Sequence, residues 1–383
     1  MNIHTNIDNA IWALMKDESP EYIDTEEIAK IVKEVHDILV RDFSTTMCDT
    51  LIEKRLAQIR EFRAMLNSLL KMPQVEQRSP EWHEMRKGRL TASDTATAIG
   101  RGKFETRKNL LKKKAFPELM PFVSSYIMKW GTMFEEIANR TYRQRNGDIK
   151  IHEFGLVPHP TVPHFGASPD GISELGIMLE LKCPIKRKID GTIPEQYEIQ
   201  MQGQMAVCGL TECDYVECGI NDFEDIEKYL DTIEPDSTVD HGIVLEYSDS
   251  GVMTYDYSPE YLKPADAWSW AKERIKKEMK HLVKITPWKI QEYFTQRVIF
   301  DPKRWNEIMK EVSIFWKEVE EMKTIGSGTY IVEKQPSKKR ERINKIIEFI
   351  DDEPTEDENK EEKEEEEKEE EEKEEEEKEK NTD

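Results

Sequence analysis

Between residues 126 and 283 the sequence alternates helix-like and strand-like segments. Helical periodicity occurs at 126–143, 195–208 and 265–283. Helices that flank a mixed sheet bury the apolar faces of both kinds of element, so this alternation predicts an α/β domain of about two hundred residues. The strand-like segments are short and rich in β-branched and aromatic residues, and they lie at 149–157, 162–167, 176–183, 214–220, 242–247 and 252–257.

The regions on either side of this domain are predicted to be helical. Residues 1–77 contain apolar residues at helical spacing over 28–39 and again over about 47–70, which predicts a helical N-terminal segment. The domain itself is predicted to span 78–283. Residues 284–333 are predicted to form a helical C-terminal extension, because their large apolar side chains fit helical spacing: Trp288, Tyr293, Phe294, Trp305, Ile308, Phe315 and Trp316.

The last fifty residues, 334–383, differ in composition from the rest. A short basic linker leads into residues 351–383, which hold 22 acidic and six basic residues and so carry −16 of the chain's formal charge of −23. With almost no apolar side chains this tail is predicted to be disordered. It could be a solvated tail, compete with DNA for a basic surface, or bind a partner. The remaining body has a net charge of −7, which is compatible with DNA binding through local basic patches.

Composition also limits the compartment. No apolar run approaches the eighteen residues of a membrane span, and the N-terminus lacks the pattern of a secretory signal. The five cysteines are an odd number, widely spaced and without a tight C-x₂-C pair. We therefore expect an intracellular protein of a reducing compartment, neither secreted nor attached to a membrane, and without an iron–sulfur cluster.

The segment 166–184 contains the residues that most directly indicate chemistry. Asp170 lies in a Ser-Pro-Asp-Gly turn, and Glu180 and Lys182 follow on one face of the next predicted strand. Two carboxylates brought together across a hairpin, with a lysine beside them, favour a hard divalent cation held by oxygens. Such an ion can polarise a phosphodiester and activate a water molecule. The alternative is an ordinary turn followed by an ordinary strand edge.

Four segments in order resemble one known family. The segments 82–93, 130–135, 166–184 and 197–205 are similar to motifs of the PD-(D/E)XK nucleases, in the branch of phage lambda exonuclease and the YqaJ-type viral recombinases. The resemblance covers about residues 78–220. It implies a restriction-endonuclease-like core, in which a mixed central sheet is flanked by helices.

The resemblance also implies roles for single residues around a metal ion. Asp170 and Glu180 would bind the metal together with the main-chain carbonyl of Leu181, and Glu135 would reach it directly or through water. Lys182 and Gln200 would position the attacking water. The implied ion is Mg²⁺, with Mn²⁺ as a substitute.

A second implied site would hold the terminal 5′-phosphate of DNA. Arg86, Ser93 and Ser168 would form this pocket, and Trp82 lies one helical turn from Arg86. A planar guanidinium binds a phosphate through two hydrogen bonds, and hydroxyl groups complete such a pocket.

Together these features imply a metal-dependent 5′→3′ exonuclease on double-stranded DNA, of viral type, serving recombination, repair or replication-end processing. Its expected partners are DNA ends, a single-strand annealing protein and further copies of itself. Two alternatives remain open at this stage: an endonuclease on structured DNA or RNA with the same core, and a non-catalytic protein that binds DNA ends.

Overall fold

The computed structural model describes residues 3–15, 45–120, 125–235, 237, 239–249, 252–278 and 281–326. Residues 1–324 form one compact unit. The helix predicted over 28–39 and the predicted disordered tail both lie outside the described residues.

The described helices begin at recognisable sequence signals. Ser79 caps the third helix, because its side chain accepts a hydrogen bond from the Trp82 amide and Pro80 follows at the first helical position. Ser125 caps the sixth helix in the same way. The helices are α1 (Ile3–Met15), α2 (Thr45–Leu70), α3 (Pro80–Lys87), α4 (Ala92–Ala98), α5 (Arg107–Ala115), α6 (Tyr126–Arg145), α7 (Glu195–Cys208), α8 (Ile226–Thr232), α9 (Pro264–Lys277) and α10 (Pro302–Ile325), with a short 3₁₀ turn at Pro117–Leu119.

Within the described ranges the strands form two sheets. The larger has seven strands in the order β2-β5-β6-β7-β10-β8-β9, and the smaller has three in the order β1-β4-β3. Strand β6 runs parallel to β7, and the other pairs of the larger sheet are antiparallel. The strands are β1 (Leu90–Thr91), β2 (Ile151–His152), β3 (Val157–Pro158), β4 (Phe165–Ala167), β5 (Gly171–Ser173), β6 (Met178–Lys182), β7 (Glu212–Asp222), β8 (His241–Asp249), β9 (Val252–Tyr257) and β10 (His281–Ile299).

This architecture confirms the predicted α/β class, a mixed sheet with flanking helices. The helix predicted at 195–208 is present, and each predicted strand segment contains an observed strand. Strand β6 is more deeply placed than a strand with one solvated face would be, because residues 178–181 are all buried. Helices α6 and α7 contact strands of the two sheets. The catalytic candidates of β6 therefore lie in the middle of the molecule.

The prediction that residues 284–333 are entirely helical is wrong for the first half of that segment. Residues 281–299 form β10, the longest described strand, whose residues 281–289 pair with β8 and residues 288–299 with β7. Only Pro302–Ile325 is helical, and its buried stripe includes Trp305, Phe315 and Trp316. The helix predicted to reach residue 283 ends at Lys277, because β10 begins at His281. Strand β10 lies between β7 and β8 in the larger sheet, so the predicted domain boundary at 283 falls inside a strand.

Helix α2 packs directly on the hairpin of β5 and β6. Gly176, in the turn of that hairpin, has φ +75°, and a Cβ there would lie 2.7 Å from the Phe62 carbonyl carbon. Arg63 donates hydrogen bonds to the carbonyl and the carboxylate of Glu174, at 2.6 and 3.0 Å. Only glycine permits this approach and this backbone conformation. The N-terminal helix α2 therefore supports the strand that carries Glu180.

A network of buried ion pairs joins the N-terminal helices to the sheet. Arg55 of α2 donates to Asp8 at 2.6 and 2.9 Å and to Glu212 at 2.5 and 2.8 Å. Arg297 of β10 donates to Asp214 at 2.6 and 2.9 Å, and also to Asp8 and Glu212. We call these five residues the anchoring network. Each of its carboxylates is met by at least one guanidinium, which is the arrangement that buried charges require.

Candidate functional site

The turn before β5 and the strand β6 bring Asp170, Glu180 and Lys182 together. The Lys182 ammonium lies 3.7 Å from Asp170 Oδ2 and forms a closer ion pair with Glu180 Oε1. The main chain of Leu181 takes part as well: its amide donates to Asp170 Oδ2 at 2.8 Å, and its carbonyl accepts from Lys182 Nζ at 3.0 Å. The prediction that these residues form one cluster thus agrees with the geometry, whereas their chemical roles stay predictions.

Glu180 is fully buried, and a glutamine holds its second oxygen. Gln204 of α7 donates to Glu180 Oε2 at 2.8 Å, and its side chain also reaches the Ser168 carbonyl at 3.5 Å. Gln200, the glutamine predicted for this site, lies one turn earlier on α7 and is half-buried. Among the described residues it forms no hydrogen bond with Asp170, Glu180 or Lys182. The direct contact of α7 with the cluster is therefore made by Gln204, which the motif did not indicate.

Glu135 projects from α6 into a cleft of about 200 Å³ that Asp170 also lines. Its carboxylate accepts a hydrogen bond from Arg78 at 2.6 Å. Tyr255 and Tyr257 of β9 also line the cleft, and the Tyr257 hydroxyl donates to the Met133 carbonyl at 2.8 Å. Glu135 and Asp170 thus face the same cleft, as the resemblance implies.

Two carboxylates of this cluster, those of Glu135 and Glu180, have raised pKa values. Burial raises the pKa of Glu135 to about 7, and the neighbouring Asp170 adds to the rise while Arg78 opposes it. Burial likewise raises the pKa of Glu180 to about 7, against the opposing charge of Lys182. Burial alone would lower the pKa of Lys182, but Glu180 and Asp170 raise it above its ordinary value. The cluster therefore holds more negative charge than its own cations compensate.

The oxygens of the cluster fit a divalent cation. Among the described residues, no three or more His, Cys, Asp and Glu side chains converge closely enough to hold a metal ion. However, Asp170 Oδ2, Glu180 Oε1 and the Leu181 carbonyl all lie within 4 Å of one positive atom, Lys182 Nζ. Mg²⁺ usually takes one or two carboxylates and keeps several waters, so two carboxylates and a carbonyl are a suitable donor set.

The four residues predicted for a phosphate pocket are also neighbours. The Arg86 guanidinium lies 4.3 Å from the Trp82 ring and donates to Ser93 Oγ at 3.3 Å. The Trp82 indole donates to Ser168 Oγ at 3.1 Å. Ser93 is exposed, so the pocket opens to solvent. An exposed hydroxyl beside an arginine that stacks on an aromatic ring is an arrangement suited to a phosphate.

Three further residues lie around Arg86. Thr91 accepts from Arg86 at 3.2 Å, and Lys114 pairs with Asp94 at 2.8 Å. Burial alone would raise the pKa of Asp94, but Lys114 and Arg86 hold it well below its ordinary value. Burial lowers the pKa of Arg86, although Asp94 opposes this shift. Two cations thus face one carboxylate, which leaves a positive charge for an anion.

A short series of contacts connects the phosphate pocket with the carboxylates. Ser168 binds Trp82 through its hydroxyl, and its carbonyl is reached by Gln204, whose side chain also binds Glu180. Ser168 is two residues before Asp170 in the sequence. The two predicted sites are therefore adjacent parts of one surface, formed by α3, α7 and the turn before β5.

Two basic runs in the sequence, within 101–114 and at 186–188, could contact DNA, but three of their arginines are engaged within the protein. Arg107 forms two hydrogen bonds with Glu318, at 2.7 and 2.8 Å. Arg101 pairs with Glu195 at 3.1 Å and with Glu311 at 3.6 Å. Arg187 forms an ion pair with the buried Glu217 and donates to the Tyr215 hydroxyl at 3.2 Å. A role for these basic runs in DNA binding stays a prediction.

The fold and the site define a mixed α/β domain with a carboxylate–lysine centre on its middle strands. Residues 81–213 match the YqaJ-like viral recombinase domain. This match confirms the resemblance predicted from the sequence for that part of the chain.

Two viral proteins are among the relatives of this chain. An uncharacterised protein of Acanthamoeba polyphaga mimivirus is 28% identical over 230 residues, which cover 52% of this chain and 42% of that protein. A protein of African swine fever virus is 26% identical over 163 residues, covering 34% of this chain and 46% of its own length. The chain thus spans less than half the length of these relatives.

Solved structures of an alkaline exonuclease from Laribacter hongkongensis are also similar. They show 26% identity, cover 64% of this chain and 96% of their own, and have TM-scores of 0.42 for the complex with dAMP and 0.41 for the other structure.

In the described part of this chain no helix is long and apolar enough to cross a membrane.

Proposed function

We propose that this chain is a magnesium-dependent exonuclease that degrades one strand of double-stranded DNA from its 5′ end. The observation that carries the proposal is the adjacency of the two sites. Trp82, Ser168 and Gln204 connect the pocket of Arg86 to Glu180 through contacts of 3.1, 3.5 and 2.8 Å. A terminal phosphate held in that pocket would place a nearby phosphodiester at the carboxylates.

The chemistry of the site supports hydrolysis of a phosphodiester. Asp170, Glu180 and the Leu181 carbonyl would hold the divalent ion, which supplies polarisation of the phosphodiester and a water of lowered pKa. Gln204 and Lys182 fix the two oxygens of Glu180, so the carboxylate cannot rotate away. The Lys182 ammonium is also close enough to the oxygens of the cluster to offset charge that develops on a phosphate.

The phosphate pocket explains the choice of end. Arg86 carries a charge that burial and its stacking on Trp82 hold in one place. A 5′-phosphate adds negative charge that a 5′-hydroxyl lacks, so it would bind more strongly to the guanidinium and the Ser93 hydroxyl. The proposed biological setting, by way of the family, is recombination or the processing of viral DNA ends. A single-strand annealing protein and further copies of the chain are proposed as partners.

Digestion of linear duplexes tests this proposal. Each duplex carries a fluorophore at one defined position and either a 5′-phosphate or a 5′-hydroxyl, and the reaction contains Mg²⁺ or EDTA. We expect nucleotides to be released progressively from the 5′ end, faster from the phosphorylated end, and not in EDTA.

Closed circular DNA and single-stranded RNA serve as matched substrates without a duplex DNA end. Cleavage of the circle at a comparable rate would show an endonuclease instead. Binding to duplex ends without any cleavage, in Mg²⁺ or Mn²⁺, would show a non-catalytic end-binding protein.

A further inference from the structure

Arg78 has an unusual backbone conformation beside the candidate active site. Its φ is +68°, in the left-handed region that side chains other than glycine and asparagine rarely adopt. It follows Gln77, whose side-chain Nε2 donates to the Phe154 carbonyl at 2.7 Å and to the Pro169 carbonyl at 3.3 Å. Ser79, the residue after it, caps α3. The backbone on both sides of Arg78 is thus fixed, which keeps this residue in its strained conformation.

The strained backbone directs the Arg78 side chain into the cleft of Glu135 and Asp170. Its guanidinium contacts Glu135 at 2.6 Å, and the side chain is still 48% exposed. Of the described residues that line this cleft, Arg78 alone is basic, whereas four are acidic: Glu135, Glu136, Glu153 and Asp170. A DNA phosphate that enters such a cleft needs positive charge on its wall.

Arg78 also lies between the two parts of the site. Gln77 is anchored to the carbonyl next to Asp170, and α3, which starts at Pro80, carries Trp82 and Arg86. The exposed face of a guanidinium that already binds one carboxylate still offers donors to a second anion, because Arg has five N–H groups. A strand held by its terminal phosphate at Arg86 would run past this position.

We propose that Arg78 is a substrate-positioning residue that binds a backbone phosphate of the strand in the cleft and orients Glu135 through the same guanidinium. This role rests on the proposed function, since it requires DNA in the cleft. It assigns to the site a second phosphate contact, in addition to the pocket of Arg86.

Equilibrium binding of a 5′-phosphorylated duplex at several salt concentrations, with Ca²⁺ in place of Mg²⁺, tests the proposal. Arg78→Gly removes the guanidinium and suits the positive φ, so it should fold at least as well as the wild type. We expect roughly tenfold weaker binding at low salt. The slope of log K against log salt should also become shallower by about 0.9, the value for one lost phosphate contact. Arg78→Lys should restore the slope and part of the affinity.

Arg145→Ala is the matched control. Arg145 lies on α6, is 44% exposed and pairs with Asp240 at 2.9 Å, but it is far along the helix from the cleft. Its loss should leave the slope unchanged. If Arg78→Gly is poorly folded, Arg78→Gln keeps a polar side chain without the positive charge and gives the same comparison with Arg78→Lys.

Two results overturn the proposal in distinguishable ways. A wild-type protein that binds and cleaves DNA, with an unchanged salt slope in Arg78→Gly, would overturn the role of Arg78 alone. A wild-type protein that binds no duplex DNA would overturn the proposed function and this role together.

Discussion

Two clusters of buried charge in the described part of the chain are built on opposite principles. In the anchoring network, Asp8, Glu212 and Asp214 are bound by the guanidinium groups of Arg55 and Arg297 through bidentate contacts. In the candidate active site beside the cleft, Glu135, Asp170 and Glu180 share Arg78 and Lys182. The pKa values of Glu135 and Glu212 shift in opposite directions. That of Glu135 is raised to about 7, first by burial, whereas Arg55 and Arg297 hold that of Glu212 below its ordinary value against the effect of burial.

The difference between the two clusters distinguishes a contribution to stability from a contribution to chemistry. Carboxylates whose charge is poorly compensated oppose folding, so a cleft that keeps them needs a reason other than stability. A bound cation is such a reason, because it supplies the missing positive charge. The anchoring network, in contrast, joins α1, α2, β7 and β10, and its contribution is to hold the N-terminal helices on the sheet.

The largest expected effect is the loss of cleavage in Asp170→Asn and Glu180→Gln. Removing one charged ligand should reduce the cleavage rate by at least about a thousandfold, since a metal centre supplies several kcal/mol of transition-state stabilisation. DNA binding in Ca²⁺ should persist, because it comes mainly from basic contacts to phosphates. Lys182→Ala should be nearly inactive but should still bind metal. Cleavage assays and thermal unfolding of the same preparations give the measurement.

The comparison predicts that these two variants are as stable as the wild type or more stable. Neutral side chains of the same shape relieve the repulsion between the buried carboxylates. Full activity in both variants, or a large loss of stability, would contradict the distinction between the two clusters.

The next effect is on stability, in Arg55→Met. Removing this guanidinium leaves Asp8 and Glu212 with Arg297 as their remaining partner, which should lower the free energy of unfolding by about 3–5 kcal/mol. Cleavage by the folded fraction at low temperature should be unchanged. Denaturant unfolding measures the first quantity and a single-turnover assay the second. Arg145→Ala, which breaks an exposed ion pair on α6, should cost less than about 1 kcal/mol.

Arg86 belongs to a third kind of cluster, in which two cations face one carboxylate. Arg86→Ala should remove the preference for a 5′-phosphate over a 5′-hydroxyl, a ratio that we expect to be roughly tenfold to a hundredfold in the wild type. The rate on the hydroxyl-ended duplex should change little. An equal loss on both substrates would instead identify Arg86 as a general DNA contact.

The smallest effect concerns acid. Because the folded-state pKa of Glu212 lies below its unfolded value, this residue stabilises the protein above its ordinary pKa, and the contribution is lost as pH falls through the lower, folded value. We therefore expect Glu212→Gln to lose on the order of 1 kcal/mol of stability at neutral pH and to show a shallower decline in acid. Denaturant unfolding from pH 7 to pH 3 checks the slope. A parallel decline in both proteins would place the acid sensitivity elsewhere.

The part of the site that could be predicted is the part encoded over short distances. Asp170, Glu180 and Lys182 lie within thirteen residues, so a turn and a strand are enough to bring them together. Glu135 and Arg86 needed the resemblance to a family. Gln204 and Arg78 reach their positions through contacts between elements distant in sequence, and no local pattern distinguishes them from ordinary polar residues.

Strand β10 was predicted to be helical for a physical reason. A strand with one buried face shows alternating burial, but the register of β10 shifts between Leu282 and Lys284 and again between Ile290 and Glu292. Each shift moves the buried positions by one residue. The resulting spacing of Trp288, Tyr293 and Phe294 fits a helix as well as a strand.

The position of β10 between β7 and β8 also sets the order in which the chain can fold during synthesis. Strand β7 ends at Asp222, and the part of β10 that pairs with it begins only at Trp288, so about 65 residues must leave the ribosome before that side of β7 is paired. At typical rates this takes roughly 3–12 s, during which eleven residues present an open strand edge. Exposed edges of this kind recruit other chains. A fragment that stops where the family match ends, at residue 213, would lack β10 and all but two residues of β7. Production of this chain in soluble form should improve with slower synthesis or with chaperones.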